Sequence, residues 1–165
     1  MDIVVEIAKD SQKWDEYPEI NSELFAKVAE QAVSYRPKIA QTKQIELSIL
    51  LTEDEEMRRL NLDFRRKDKP TNVLSFPDLE KENYEKIEFK LNENYIYLGD
   101  VAFGYDIIRK EASEKSIDFK NHFIHLCTHG ILHLIGFDHE NEDEATIMEE
   151  IEIKILKTFG IKSPY

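Results

Sequence analysis

A small α/β (α+β) fold is predicted over residues 1–165: one domain, with a four-stranded sheet packed with about five helices. Three observations predict it. The length of 165 residues suits a single domain, large enough for folding to remove about 70% of the chain's accessible surface. Hydrophobic residues make up 41% and charged residues 34%, which is polar but globular. Short β-branched or aromatic segments also alternate with segments of helical spacing.

Asp2 to Ala8 reads as a β-branched strand. From Asn21 to Tyr35, Leu24, Phe25, Val28, Ala29, Ala32 and Val33 recur three and four apart, a helix that Pro37 should stop. Ile45 to Leu51 sets Ile45, Leu47 and Ile49 against Glu46 and Ser48, the pattern of a half-buried strand. Thr52 should cap the next helix, with Glu55 completing a capping box, and that helix fades near Arg66. Asn72 to Phe76 is a short strand ended by Pro77. The acidic, lysine-dotted stretch Asp78 to Asn94 reads as an exposed loop or hairpin. Tyr95 to Phe103 is a strand interrupted at Gly99. Three helices follow: Asp106 to Lys115, the apolar Phe119 to Ile135 ended by Gly136, and the amphipathic Glu142 to Phe159.

The net charge is −12, from 34 acids and 22 bases. Spread evenly, it would repel nucleic acid and anionic membranes, so contact with either needs a local basic patch. Residues 58–70 supply one: six basic residues against Asp63 and Asp68, a local charge of +4. The single cysteine, Cys127, excludes an intrachain disulfide and a Cys-only zinc site. No stretch approaches the length of a membrane span, and the start MDIVVEIAKD lacks the pattern of a signal peptide. The expectation is a cytoplasmic protein that does not enter membranes.

His129 and His133 lie four apart on one helix, so their imidazoles stack on one face. Gly136 can end that helix in the left-handed conformation, letting the chain double back and bring His139 to the same point. Three neutral imidazoles with a fourth position open describe a catalytic zinc site, one ion per chain, on a helix and the turn after it. Imidazoles also accept nickel and copper. His125 and His129 form a competing helical pair without a turn or a third ligand, and His122 has no assigned role. The spacing is that of the long zinc-protease motif H-E-x-x-H-x-x-G-x-x-H, but Gly130 stands where that motif carries its general base. A zinc peptidase is the second reading, disfavoured by Gly130. A non-catalytic factor whose fold zinc only staples is the third.

The eleven residues HGILHLIGFDH, the segment TNVLSFP at 71–77 and LGDV at 98–101 resemble the YbeY endoribonuclease family of rRNA maturation factors. The resemblance runs from about Leu60 to Glu140, with the motifs in order, and the chain departs from the pattern mainly in the acidic 78–94 segment. It implies a metal-dependent hydrolase that cleaves single-stranded RNA, in maturation of small-subunit rRNA and in ribosome quality control. The implied partners are rRNA and the small ribosomal subunit or its proteins. By match of motif, the resemblance places the zinc ligands at His129, His133 and His139, and a functionally important arginine at Arg65.

Other residues keep two readings each. Arg58, Arg59 and Arg66 could touch phosphate or simply solvate a helix end. Thr71, Asn72 and Ser75 could contact substrate, though satisfying turn backbone is the simpler role. Asp100 could hold a ligand imidazole in the right tautomer or sit at a strand end. Asp138 could orient a ligand or bond the turn. Cys127 reads as a small buried residue.

Overall fold

The computed structural model describes residues 1–80 and 94–165. Of the segment expected as an acidic loop or hairpin, residues 81–93 lie outside the described residues. Strand β1 (Asp2–Lys9) is followed by a 3-10 turn (Gln12–Glu16), helix α1 (Ser22–Val33), the single turn α2 (Pro37–Ala40), β2 (Gln44–Thr52), α3 (Asp54–Arg65) and β3 (Val73–Pro77). Then come β4 (Tyr95–Gly104), α4 (Tyr105–Glu114), α5 (Phe119–Leu134) and α6 (Glu142–Thr158).

The four strands form one sheet in the order β1-β2-β4-β3. β1 and β4 run parallel to β2, and β3 closes the far edge antiparallel to β4. The β2–β4 register shifts between Glu46 and Ser48, opposite Gly99, where the sequence pattern of β4 breaks. One face of the sheet carries Ile45, Leu47, Ile49, Leu51, Val101 and Phe103, all buried in the main core with α1, α5 and α6. The other face is covered more thinly: Met57 of α3 packs on Leu74 and Ala102 there. Alternation along β2 thus divides two cores of unequal size.

Local chemistry explains most helix starts. Asn21, Asp118 and Asn141 each accept a backbone N–H two or three residues into α1, α5 and α6. Two expectations need correction. Thr52 does not cap α3, because β2 holds it opposite Gly104 and it ends the strand. The cap comes from across the fold, where Asp106 Oδ2 accepts the Asp54 N–H at 3.0 Å. Nor does Pro37 stop α1, which ends at Val33; Pro37 instead opens α2, the position where its missing N–H costs nothing. Trp14, on the 3-10 turn and 1% exposed, donates to the Thr52 carbonyl and meets Tyr105, Phe119 and Phe123 edge-on. It ties the start of the chain to the helices that position the histidines.

Candidate metal centre

Helix α5 lies against β3 and β4 closely enough that Gly130 is the only residue type its contact admits. A Cβ there would sit 2.9 Å from Val101 Cγ1 and 3.2 Å from Val73 Cγ2. Ser75 Oγ donates to the Gly130 carbonyl at 2.9 Å, fastening helix to strand. Beside that contact, His129 and His133 line a cleft of about 460 Å³ together with Val73 and Ser75 of β3. The helix then ends in a Schellman turn. Phe137 N–H bonds the Leu132 carbonyl, Gly136 N–H bonds the His133 carbonyl, and Gly136 takes φ +88°. Arg36 clamps this turn from α2's side, its guanidinium 3.9 Å from the Phe137 ring centroid and its Nε donating to the Ile135 carbonyl.

The reversal brings His139 onto the other two. The three ring centroids lie 4.6 to 5.3 Å apart, and one ligand nitrogen from each lies within 4.8 Å of the others. His129 Nε2 and His133 Nε2 are 3.1 Å apart. Two nitrogens on one tetrahedral zinc ion would stand about 3.3 Å apart, so the donor set fits. Burial, then the neighbouring His129 and His139, pushes His133 down to about 4, so it is neutral at physiological pH.

The carboxylate that fixes a ligand tautomer comes from α6. Glu152, 1% exposed, lies 2.8 Å from His129 Nδ1. Burial alone would raise its pKa, but hydrogen bonds from His125, His129 and Tyr165 outweigh it and hold the acid below its ordinary range. An ionised carboxylate only accepts, so His129 carries its proton on Nδ1 and turns the Nε2 lone pair to the cleft. Sequence reasoning had offered Asp100 for this role. The correction is topological: Asp100 is exposed on the sheet's other face, bonded by the Tyr97 hydroxyl at 3.0 Å. Glu152 had one signal, an acid inside the apolar stripe of Met148, Ile151, Ile155 and Leu156. Of its two expected roles Asp138 takes the one in the turn, accepting the His139 N–H at 2.8 Å, while its Oδ1 stays 4.0 Å from His133 Nδ1.

Arg65, at the end of α3, lines the same cleft and among the described residues makes no hydrogen bond or ion pair. Of the rest of the basic segment, two arginines are engaged, while Arg66, Lys67 and Lys69 have no side-chain ion pair among the described residues. Arg58 pairs with Asp68, Arg59 with Glu56 and Asp63, and Arg66 ends α3 in the left-handed conformation at φ +58°. Thr71, Asn72 and Ser75 also line the cleft, but Asn72 donates to Glu111 and Ser75 to Gly130. His122 is buried against Glu111, His125 leans on Glu152, and Cys127 is fully buried with burial pushing its thiol up. A second, apolar hollow of about 510 Å³ on the other sheet face shares no lining residue with the cleft.

A mixed sheet with a cleft where one helix and its turn converge three imidazoles beside an arginine unpaired among the described residues defines a class, the small α/β proteins with a candidate metal centre. Comparison with known proteins narrows it. The sequence profile described as Endoribonuclease YbeY matches residues 9–160. A protein named Endoribonuclease YbeY from Bradyrhizobium diazoefficiens is 42% identical over 152 residues, covering 92% of this chain and 79% of that one. The chain belongs to the YbeY endoribonuclease family. The solution structure of TM1509 from Thermotoga maritima matches the fold with a TM-score of 0.54 at 23% identity, over 96% of this chain and 91% of that one.

Proposed function

We propose that this protein is a metal-dependent endoribonuclease that cleaves single-stranded RNA, working in the cytoplasm in maturation of small-subunit rRNA and in ribosome quality control. The observation that carries the reading is the meeting, in one cleft of an endoribonuclease-family chain, of three imidazoles and an arginine with no protein partner. His129, His133 and His139 would hold one zinc ion. When bound, such an ion supplies Lewis acidity, polarising a phosphoryl oxygen and making water a nucleophile near neutral pH. The residues of the chain do the rest. Glu152 keeps His129 in the ligand tautomer. Arg65 meets the phosphate, its planar fork matching two oxygens and stabilising charge that develops in the transition state. The bonded Asn72 and Ser75 keep the cleft wall rigid beside it. A flexible strand can bend a phosphate into this cleft more readily than a stiff A-form duplex. The acidic surface elsewhere makes a ribosomal partner useful for reaching the target.

The peptidase reading loses ground on geometry as well as on residue type. A side chain at position 130 would press on Val101, Val73 and Ser75, so the missing general base has no room there unless these shift. The deciding experiment is metal analysis of the purified protein together with cleavage assays on RNA and casein, each with and without chelator. Chelator-sensitive cleavage of RNA alone supports the proposal. Casein cleavage favours the peptidase, and bound zinc without either activity favours the non-catalytic factor.

A further inference from the structure

Glu152 has two oxygens with separate partners. Oε1 serves His129 at 2.8 Å, with His125 Nε2 at 3.6 Å, while Oε2 accepts the Tyr165 hydroxyl at 2.7 Å. Tyr165 belongs to the segment after α6, which folds back so that this phenol reaches the α5–α6 interface. Its ring is 59% exposed, so apolar burial is a weak reason for it to lie there. The polar contacts give a stronger one. The ring stands edge-on to His125 at 5.7 Å, the hydroxyl lies 3.3 Å from His125 Nε2, and Ser163 Oγ accepts the Tyr165 N–H at 3.2 Å.

From this geometry we infer that Tyr165 and Glu152 act as a positioning pair for the metal centre: the phenol fixes the carboxylate, and the carboxylate fixes His129. The physical need is plain. A carboxylate 1% exposed must fill its lone pairs, and without the phenol Oε2 loses its donor. The carboxylate can then rotate, and the Nδ1 contact that aims His129 Nε2 is no longer held in one orientation. His125 completes the triangle from one helical turn back, which gives the histidine outside the ligand set a reason to be where it is. Neither Tyr165 nor Glu152 lines the cleft.

The inference rests on the metal-site reading above, and its test separates the two. Zinc affinity is measured by competition with a chromogenic chelator, for the wild type, Tyr165→Phe and Glu152→Gln, and Co²⁺ is titrated into each for its ligand-field spectrum. Glu152→Gln is expected to weaken zinc binding about 10- to 100-fold, the usual scale for a residue that orients a ligand. Tyr165→Phe is expected to weaken it by a smaller factor, about 3- to 10-fold, since one hydrogen bond to a charged acceptor is lost and only part of that is felt at the metal. Its Co²⁺ bands should shift, and the metal-free protein should stay folded with a melting temperature lowered by a few degrees, as expected when one buried acceptor loses its donor. Unchanged affinity and spectrum in Tyr165→Phe would overturn the pair, and this variant decides the matter if Glu152→Gln does not fold. Failure of the wild type to bind zinc at all would instead overturn the metal-site reading.

Discussion

Three imidazoles should contribute unequally to folding and equally to metal. Alanine at His129, His133 or His139 is expected to remove most of the zinc measured per folded chain, whereas His122→Ala should retain it, because His122 faces Glu111 and not the cleft. Full zinc occupancy in His139→Ala would contradict the assignment. Arg65→Ala is expected to leave zinc content and melting temperature close to wild type and to lower RNA cleavage by about 100-fold, the scale of losing one preorganised donor. Arg65→Lys should not restore full activity, since an ammonium lacks the planar fork. The convergence of His129, His133 and His139 was readable beforehand because helical spacing and a glycine stop are local properties. Glu152 was not, because its value depends on where α6 lies across α5. Asp100 shows the same limit from the other side: an acid among apolar residues on a strand suggests burial, but only the sheet's two faces decide which way it points.

Helix α3 depends on its neighbours at both ends. Its N-terminus is satisfied by Asp106, which also pairs with Lys13, and its C-terminus delivers Arg65 to the cleft. Asp106→Ala is expected to cost about 1 kcal/mol by urea unfolding, the usual scale of a lost cap. RNA cleavage should fall with it if α3 frays, while zinc content holds. The capping box read at Thr52 and Glu55 failed because two elements competed for one residue, and the strand ladder of β2 won. Strand and helix existence followed from periodicity all along the chain, and boundaries agreed closely. The single turn α2 went unread: four residues are too few for a period, and Pro37 serves both as a stop and as a start.

At the scale of the whole molecule, charge and pH give the tests. The chain is acidic and its basic segment at 58–70 is short, so RNA binding should be local and weak and should weaken further between about 50 and 200 mM salt. Equal cleavage of single-stranded and fully paired RNA of one sequence would count against the nuclease reading. No described helix is long and apolar enough to cross a membrane. For the metal-free protein, burial lowers the pKa of both His122 and His133, the latter to about 4 from an ordinary value of 6.5. The unfolded chain therefore takes up protons first as pH falls. Stability should be full above about pH 6.5 and decline toward pH 4, each such histidine contributing up to about 1.4 kcal/mol per pH unit. Urea unfolding across that range checks the sign. The sheet order and the mixed strand directions lay beyond sequence reading, since pairing partners far apart in the chain leave no local trace.

The contact at Gly130 also sets how far this scaffold stands from a neighbouring chemistry. On paper, one substitution separates its histidine motif from that of a zinc peptidase. In the folded chain that substitution must first lever α5 away from Val73, Val101 and Ser75. Such a shift carries His129 and His133 with the helix and loosens the bond that Ser75 makes to it. Laboratory evolution toward peptide cleavage would therefore have to rebuild the strand side chains before the new base could be tried. A library randomised at position 130 alone should return mostly glycine, and one that also shortens Val101 should admit alanine.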